Sequence, residues 1–391
     1  MFELKHQENK IDYGLIFILL LIFLVSLIAI YSGSGQYQVQ DPFYFVKRQV
    51  IWYGIGIIVL IGVVAFDFEL LENFAKPLFI LGIVLLILVH FLGTEKNGSQ
   101  RWLSFGFFDL QPSELMKIFL IIFIASLLKK YKGKKLSFKE SIPITVKILF
   151  YTFIPFGLIL IQPDLGSALI ILSITITLIF VAGISYKLLL LLFGLFAALI
   201  SCLVYLHNSY FEIFSKIIKP HQLERIYGWL YPDEYASSYG YQLKQAILGI
   251  GSGQISGAGF TEGIQVQSGN IPEVHTDFIF TVIGEEFGFI GASLLIILYF
   301  LLIYRLRVIS LNTNNLFGIY LISGVIGLYA FQIFQNISMT IGLMPITGIA
   351  LPFVSYGGSS LITNIIALGL VLNVNIRTKK YMFYSDDTYE D

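Results

Sequence analysis

Long apolar runs alternate with short polar segments along almost the whole chain. A helix needs about 20 residues to cross a hydrocarbon core of about 30 Å. The predicted spans are residues 12–32, 49–67, 74–93, 112–129, 146–161, 165–185, 187–206, 276–304, 315–338 and 346–373. These runs are continuous Leu, Ile and Phe stretches, unlike the alternating segments of about ten residues in a β-barrel. The pattern predicts an all-α integral membrane protein, a bundle of about ten transmembrane helices in a single polytopic domain over 1–391.

Composition supports the membrane assignment. Of the 391 residues, 56% are hydrophobic and 13% are charged, whereas soluble domains carry about 25% charged residues. The first apolar run can span and lacks a small-residue cleavage pattern after it, so we interpret it as a retained helix and not a signal peptide. The single cysteine, Cys202, lies in the seventh predicted span. An intrachain disulfide and a cysteine-based metal cluster are therefore excluded.

Basic residues concentrate in particular connections between the spans. A basic loop at 129–146 has six lysines between positions 129 and 139, and the other members of the group are Lys5, Lys10, Arg305, Arg307, Arg377, Lys379 and Lys380. Under the positive-inside rule these segments are cytoplasmic, and an even number of spans then places both termini in the cytoplasm. The outward connections are 33–48, 94–111, 162–164, 207–275 and 339–345. The longest, 207–275, is predicted as a functional extracytoplasmic loop.

Asp277 lies at the outer start of the eighth predicted span. An ionisable side chain in a span is costly and marks a functional candidate, although a helix N-cap is the alternative here. Helical spacing places Asp277 on the face of Gly284, Gly288 and Gly291, and glycines on such a face indicate close helix packing. The spacing predicts that Asp277 points into the bundle. His275, two residues earlier, is interpreted as a loop histidine and not a ligand.

Other carboxylates lie within the predicted spans. Glu285 and Glu286 are about 12 Å deeper than Asp277, at about 1.5 Å per helical residue. Carboxylates at that depth need cationic or hydrogen-bonding partners, and we assign both to structural ion pairs. In the fourth span Pro112 suits the first helical turn. Glu114 and Lys117 stand three residues apart, which predicts an internal ion pair on one helix face.

Further polar residues lie where the predicted outer connections meet the spans. Arg101 is interpreted either as a snorkelling cation or as a bidentate clamp on phosphate. Asp164 lies at the turn between the fifth and sixth spans, where a capped tight hairpin is the alternative to a functional role. Pro345 and Pro352 interrupt the start of the tenth span. Broken helices at membrane depth are tolerated only where they are buried or line a polar cavity.

Five segments on this outer face, in chain order, carry a resemblance to a known family. They are "NGSQRWL" at 97–103, "QPSELMK" at 111–117, "QPDLGSA" at 162–168, "IPEVHTDFIFTVIGEEFG" at 271–288 and "LPFVSYGGSS" at 351–360. Together they resemble the SEDS family (shape, elongation, division and sporulation proteins) of peptidoglycan polymerases, over nearly the whole chain. The stretch "GSGQISGAGFTEGIQVQ" at 251–267 is similar to the RodA-like, elongation-type branch, which we favour over the FtsW-like, division-type branch.

The resemblance implies a reaction, a location and partners. The substrate would be lipid II, a disaccharide-pentapeptide on undecaprenyl pyrophosphate, joined into glycan strands at the outer face of the bacterial cytoplasmic membrane. A class B penicillin-binding protein would crosslink the product, and other elongation-complex membrane proteins and membrane lipids would be further partners, with no nucleic acid. Asp277 would be the general base on the 4-hydroxyl of the acceptor GlcNAc, with undecaprenyl pyrophosphate as the leaving group.

The remaining site residues are assigned by the same resemblance. Arg101 and Lys117 are candidates to stabilise charge on the leaving pyrophosphate. The wall of the cavity is assigned to Gln111, Glu114, Asp164, Glu273, Ser355 and Ser359. A divalent cation, Mg²⁺ or Mn²⁺, held by Asp277 or Glu114 is an open alternative, and the metal ligands stay unknown.

Two other classes of protein fit a ten-helix bundle with polar residues at one face. A flippase moving lipid II across the membrane needs polar sites in both leaflets, yet the cytoplasmic halves of the spans are nearly uncharged, and no internal repeat is evident. A scaffold that only recruits the crosslinking partner has no need of Asp277, Glu114 and Lys117 in or beside spans. The pattern therefore favours a one-sided enzyme. A division-type or sporulation-type polymerase stays the alternative within the family.

Overall fold

The computed structural model describes residues 12–35, 41–96, 99–106, 108–131, 136–217, 220–235 and 239–378. The predictions for Lys5, Lys10, Lys379 and Lys380, for residues 132–135 of the basic loop and for residues 97–98 of the first family segment fall outside the described residues.

Ten helices of 17–25 residues correspond to the predicted spans. They are α1 Tyr13–Gly33, α2 Tyr44–Ala65, α3 Leu70–Leu92, α4 Pro112–Lys129, α5 Phe138–Ile161, α6 Leu165–Val181, α7 Tyr186–Ser209, α13 Gly288–Leu311, α14 Leu316–Thr340 and α15 Gly358–Arg377. Within the described ranges, eight helices are long and apolar enough to cross a membrane, and α6 is a shorter apolar helix. The predicted all-α membrane bundle is confirmed. As predicted, Pro112 occupies the first turn of α4.

The eighth predicted span is not one continuous helix. It consists of α12 Ile279–Glu286 and α13, separated at Phe287. The backbone N–H groups of Ala258 and Gly259 donate to the carbonyls of Glu285 and Glu286, at 2.9 and 3.2 Å. Helix α12 begins after Asp277, and the helix is interrupted at Phe287, before Gly288. The prediction that Asp277 and Gly288 share a helix face is therefore wrong.

Contacts with an earlier segment of the chain, residues 254–257, cause this break in the helix. Gly288 has φ +61°, and a Cβ there would lie 2.4 Å from the backbone nitrogen of Gly257. Phe289 N and Ile290 N donate to the carbonyls of Gln254 and Ile255, at 2.9 and 3.2 Å. The glycine-rich stretch before α12 therefore supplies the hydrogen bonds that a continuous helix would have made internally.

Two other span boundaries differ from the prediction. The fifth helix begins eight residues earlier than 146, at Phe138, because Ser137 and Glu140 form a capping box. The tenth begins at Gly358 instead of residue 346. The preceding stretch 341–357 is non-helical and includes Phe353 at φ +62°. This segment, residues 341–357, is called the re-entry segment below.

The connection 207–275 contains helices of its own. They are α8 Phe211–Ile217, α9 Pro220–Leu230, α10 Tyr239–Ser252 and α11 Ile264–Gln267. Helix α10 packs against α9 and against α12. This connection is thus a small helical assembly resting on the same end of the bundle as Asp277.

A small antiparallel sheet lies between α3 and α4, which the all-α prediction missed. It consists of β1 Thr94–Lys96, β2 Ser99–Ser104 and β3 Asp109–Leu110, in the order β1-β2-β3. Glu95 pairs with Gln100, and Leu103 pairs with Leu110. The sheet places Arg101, in the middle of β2, close to the first turn of α4.

Helices α4, α6 and α14 pack together at the centre of the bundle, and α15 packs against α2. Lipid tails are as apolar as leucine, so helices in a membrane associate through close packing and not through the hydrophobic effect. Small residues allow that packing: Gly324 of α14 faces Ile121 of α4, and Gly369 of α15 faces Val63 of α2. Helix α7 is different, because Leu188 is its one buried side chain, and the rest of its surface suits lipid.

Ion pairs between helix ends lie at the opposite end of the bundle from Asp277. They are Lys129 with Glu72, Arg305 with Asp12, and Arg377 with Asp67. The basic residues that led to the orientation prediction and the candidate site residues thus occupy opposite ends of the described bundle.

Candidate active site

Asp277 lies in the turn immediately before α12. The N-cap position of that helix is Phe278, and no side chain caps it. Asp277 therefore does not serve as the helix cap that was the alternative explanation for an acid at this position. Its side chain is half-buried.

The re-entry segment fixes the backbone around Asp277. The Ser355 hydroxyl donates to the carbonyl of Thr276 at 2.6 Å and accepts from Leu351 N at 2.8 Å. Tyr356 N donates to the carbonyl of His275 at 3.0 Å. The turn before α12 and the re-entry segment thus form one hydrogen-bonded unit, in which the Ser355 hydroxyl is used for backbone contacts.

Asn336 of α14 joins the same unit from inside the bundle. Its side-chain amide donates to the carbonyls of Asp277 and Ile349, at 2.7 Å each. Gly348, beside Ile349, has φ +71°, and a Cβ there would lie 3.2 Å from Asp277 Oδ2. Glycine at this position gives the Asp277 carboxylate the space that it occupies.

A second carboxylate, Asp164, caps α6 from the α5–α6 turn. Its Oδ1 accepts from Ser167 N at 3.0 Å, and its Oδ2 accepts from Gln111 Nε2 at 3.0 Å and from the Ser113 hydroxyl at 3.3 Å. The guanidinium of Arg101 lies 3.5 Å from Oδ1. Asp164 therefore caps the hairpin between α5 and α6 and also faces the candidate site, so the structural and the functional interpretation both apply.

Charge keeps Asp164 ionised. Burial would raise the pKa of its carboxyl, but the Arg101 guanidinium, the Ser167 N–H and the charge of Lys117 together hold that pKa below its usual value. Arg101 stacks over the ring of Trp102 at 4.6 Å, which orients the guanidinium. The Arg101–Asp164 pair is thus a fixed charge arrangement beside the Asp277 turn.

The predicted Glu114–Lys117 ion pair is confirmed. Lys117 Nζ lies 2.6 Å from Glu114 Oε1, and the lysine side chain is 1% exposed. Lys117 acts on Asp164 electrostatically. Because its ammonium is buried and paired, Lys117 contributes to the site by helping to keep Asp164 ionised.

The environment of the Asp277 carboxyl changes its pKa. Burial raises its pKa to about 6, with further raising by Glu273 and Asp164 and an opposing effect of the Arg101 and Arg225 guanidiniums. A carboxyl with this pKa is mostly ionised at neutral pH and is a stronger base than an ordinary aspartate. The Asp277 carboxylate can therefore accept a proton from a neutral hydroxyl, in a site where the charges of Arg101 and Arg225 act on it.

The other predicted wall residues lie around this centre. Glu273 is exposed on the turn before Asp277, at φ +53°. Ser359, in the first turn of α15, donates to the carbonyl of Asp109 and accepts from Gln111 N. This serine therefore joins α15 to the start of α4, while the Gln111 side chain reaches Asp164.

Glu285 and Glu286 lie away from the Asp277 carboxylate. Glu285 accepts from Gln265 N at 2.7 Å and from Val266 N at 3.0 Å, at the start of α11. Glu286 accepts from the Ser32 hydroxyl and the Gln267 amide. These donors are neutral, so the prediction of ion pairs is corrected: both carboxylates are held by hydrogen bonds that fix α11 and α1 against α12.

His275 is buried between aromatic rings. Its ring centroid lies 4.5 Å from that of Phe45 and 5.4 Å from that of Tyr356. Burial lowers its pKa to about 4, so the imidazole is neutral at physiological pH. A neutral packing residue agrees with the interpretation of His275 as a loop histidine and not a ligand.

The carboxylates of the site are the candidate ligands for a metal ion. Within the described part of the chain, no group of three or more His, Cys, Asp or Glu side chains is arranged to hold a metal ion. Glu114 is paired with Lys117, and Asp164 with Arg101. The divalent cation, Mg²⁺ or Mn²⁺, with Asp277 or Glu114 as its ligand stays a prediction.

Sequence reasoning missed three contributors to the site. Asn336 was available as a polar residue in the apolar ninth span, within "FQIFQNISMT". Gly348 lies in a stretch whose prolines were noticed, but its proximity to Asp277 is a tertiary contact. Arg225, in α9, approaches from the 207–275 connection and donates to the carbonyl of Ile346 at 3.5 Å, a placement that depends on how that connection folds.

Fold and site together define a multi-pass helical membrane protein with a carboxylate–guanidinium centre at one end of its bundle. A family model described as "Cell cycle protein", that of FtsW, RodA and SpoVE, matches residues 13–380. The chain belongs to this family, the SEDS proteins.

Curated relatives cover nearly the whole chain. Stage V sporulation protein E of Bacillus subtilis (strain 168) is 35% identical over 376 residues, which cover 94% of this chain and 98% of that protein. The probable peptidoglycan glycosyltransferase FtsW of Wigglesworthia glossinidia brevipalpis is 34% identical over 387 residues, covering 95% of this chain and 96% of the relative.

Solved structures share the fold. A chain from a peptidoglycan synthase complex, solved to show the structural coordination of polymerization and crosslinking, superimposes with a TM-score of 0.76 at 31% identity, over 93% of this chain and 97% of that chain. The rod shape determining protein RodA of Thermus thermophilus superimposes with a TM-score of 0.67 at 30% identity, over 95% and 98% of the two chains. The names of the relatives thus include RodA, FtsW and SpoVE.

Proposed function

We propose that this chain is a peptidoglycan glycosyltransferase that polymerises lipid II, with Asp277 as the general base. The observation that carries the proposal is the half-buried Asp277 carboxyl, which lies against Gly348 of the re-entry segment and whose pKa burial raises to about 6. Membership of the SEDS family and the names of the FtsW relatives support the same reaction class.

The proposed reaction is a displacement at the donor sugar. The 4-hydroxyl of the acceptor GlcNAc gives its proton to Asp277, and its oxygen forms a bond to C1 of the donor MurNAc. The bond between C1 and the phosphate oxygen breaks, and its electron pair leaves with undecaprenyl pyrophosphate. A positioned base of this kind contributes about 10²–10⁴-fold to the rate.

Arg101 is proposed to stabilise the negative charge that develops on the leaving diphosphate, since a preorganised cation beside a water-poor site lowers the barrier to charge separation. Lys117 is proposed to act through Asp164, because its ammonium is buried against Glu114. Gln111 holds Asp164, while Ser355 and Ser359 hold backbone.

The proposed orientation places the site at the outer face of the cytoplasmic membrane, with both termini in the cytoplasm. Support comes from Lys129, Arg305 and Arg377, which lie at the opposite end of the bundle from Asp277, as the positive-inside rule requires of cytoplasmic ends. A membrane-impermeant lysine reagent on sealed vesicles checks this: Lys244, in α10 of the 207–275 connection, should react from outside, and Lys129 should not.

A class B penicillin-binding protein is the proposed partner. The similar chain that belongs to a complex coordinating polymerization and crosslinking supports this proposal. Other membrane proteins of the same assembly and the surrounding lipids are proposed as further contacts.

The subtype is proposed as two alternatives. The stretch 251–267 favours a role in elongation and rod shape, while relatives named FtsW and stage V sporulation protein E support a division or sporulation role. Expression in hosts depleted of their own RodA or of their own FtsW separates the two, since rescue of rod shape indicates elongation and rescue of septation indicates division.

The test of the reaction uses purified lipid II and the purified chain with its partner's crosslinking site blocked. We expect glycan strands in detergent, where no bilayer exists to be crossed. A flippase would instead move a labelled lipid II across vesicle bilayers and make no strands, and a scaffold would do neither.

A further inference from the structure

Helix α9 is attached across the re-entry segment at two points. Trp229 Nε1 donates to the carbonyl of Gly342 at 2.8 Å, and Arg225 donates to the carbonyl of Ile346 at 3.5 Å. The two residues are one helical turn apart, so one face of α9 lies along residues 342–346. A helix anchored in this way holds the Arg225 guanidinium in a defined place.

The residues of the re-entry segment that come next, Gly348 and Ile349, lie beside Asp277. Asp277 Oδ2 lies against Gly348, at 3.2 Å from the position of a Cβ, and Asn336 ties Ile349 to the Asp277 backbone. Gly348 is two residues from Ile346, the acceptor of the Arg225 hydrogen bond. Arg225 and Asp277 therefore approach one short piece of chain, and the charge of Arg225 acts on the Asp277 carboxyl.

Charges around Asp277 are unevenly distributed. Asp164, Glu273 and Asp277 supply negative charge, while Arg101 and Arg225 supply the positive charge that acts on Asp277. Arg101 also forms an ion pair with Asp164 at 3.5 Å. A ligand that brings a diphosphate to this centre needs more positive charge than Arg101 offers, because carboxylates and phosphates repel one another.

We propose that Arg225, in α9, is a substrate-binding residue that contacts the diphosphate of the lipid-linked substrate. The planar guanidinium carries five N–H donors in a fixed fork that matches the geometry of phosphate oxygens. The 207–275 connection thereby contributes a ligand to the site. This inference rests on the proposed function, since a lipid diphosphate is the substrate class that the function implies.

Direct binding of geranylgeranyl diphosphate to the full-length chain in an uncharged detergent tests this inference without requiring turnover. Arg225→Gln should weaken binding about tenfold, the loss expected for a charge-assisted hydrogen bond, while binding of the uncharged alcohol geranylgeraniol stays unchanged. Arg225→Lys, which keeps the charge but loses the planar fork, should recover only part of the affinity for the diphosphate. Inorganic pyrophosphate, as a third probe, separates recognition of the diphosphate alone from recognition that requires the lipid chain.

Lys244→Gln is the matched control. Lys244 is a cation in the neighbouring helix α10, paired with Asp233 at the surface, and its replacement should leave the binding of both probes unchanged. The inference is overturned if Arg225→Gln weakens binding of the diphosphate and of the alcohol equally. It is also overturned if Arg225→Gln binds the diphosphate with the wild-type affinity. The two proposals can also fail separately. If the wild-type chain binds the diphosphate through Arg225 but makes no glycan strands with its partner present, this inference stands and the proposed function is wrong.

Discussion

The side-chain amide of Asn336 donates to the backbone carbonyls of Asp277 and Ile349, at 2.7 Å each. One nitrogen of α14 thus holds together the turn that carries the proposed base and the segment that packs against its carboxylate. Neither segment has helical hydrogen bonds at these carbonyls. A buried carbonyl without a donor costs about 1–3 kcal/mol. Asn336 therefore stabilises a non-helical arrangement whose carbonyls would find no hydrogen-bond donor in lipid.

Asn336→Ala should lower the polymerisation rate by at least tenfold and lower the free energy of unfolding by roughly 1–3 kcal/mol, since both carbonyls lose their donor. The polymerisation assay and a thermal unfolding curve in detergent measure the two effects. Asn315→Ala is the control, because Asn315 caps the other end of α14. That variant should lose stability and keep its rate; a matching loss of rate would show that the effect of Asn336 is not local.

The pH dependence of polymerisation should follow the ionisation of Asp277. The base acts as the carboxylate, so the rate should fall as pH falls through about 6. A rate constant that stays level from pH 7 down to pH 5 would contradict the assignment. Asp277→Glu offers the comparison, because any residual activity should have its acid limb at a different pH.

The same pKa has a consequence for stability. The pKa of Asp277 is higher in the folded chain than the ordinary value of 3.8, so the folded state binds more protons between these values and stability falls as pH rises from about 4 to about 6. Asp277→Asn removes a charge that costs on the order of 1–3 kcal/mol at neutral pH. Its unfolding temperature at pH 7 should equal or exceed that of wild type, and a clear decrease would indicate a stabilising role for the carboxylate.

Gly348→Ala should impair the site through contact with Asp277. The new Cβ would lie 3.2 Å from Asp277 Oδ2 and would occupy a backbone position at φ +71°, which costs about 1 kcal/mol or more for a residue with a Cβ. Gly183, in the turn between α6 and α7, has the same φ and provides the control. Both alanine variants should lose similar stability, and only Gly348→Ala should lose activity.

Arg101 and Asp164 should behave as a coupled pair. Asp164→Asn keeps an oxygen to cap α6 but loses the charge that holds Arg101, so its rate should fall with little change in stability. Arg101→Ala should lower the rate further, by loss of charge at the leaving group. In a double-mutant cycle the double variant should be no slower than Arg101→Ala; independent, additive losses would show that Asp164 does not act through Arg101.

The sequence allowed prediction of the features that depend on local pattern. Hydrophobic length located all ten long helices, and residue spacing located the Glu114–Lys117 pair and the turn at Asp164. The prediction of one continuous eighth span was wrong because its apolar composition continues across Phe287, while the break depends on backbone contacts with Gly257, some thirty residues earlier. Backbone contacts between distant segments of this kind cannot be predicted from the residues of the span itself.

Charge partners were the harder part of the site. Glu285 and Glu286 were expected to face cations, yet backbone N–H groups of α11 and the Ser32 hydroxyl occupy those positions. Arg225 reaches the site only because α9 folds back over the re-entry segment. Contacts between segments far apart in the chain decide both outcomes, and an isolated sequence gives the residue types without their neighbours.

Polymerisation of purified lipid II by wild type, Asp277→Ala and Asp277→Asn, with the partner's crosslinking site blocked, tests the central claim most directly. Glycan strands from wild type and none from either variant, with unfolding temperatures at or above that of wild type, are the predicted result. Strand synthesis by the variants at the wild-type rate would contradict the claim and would place the base at another residue.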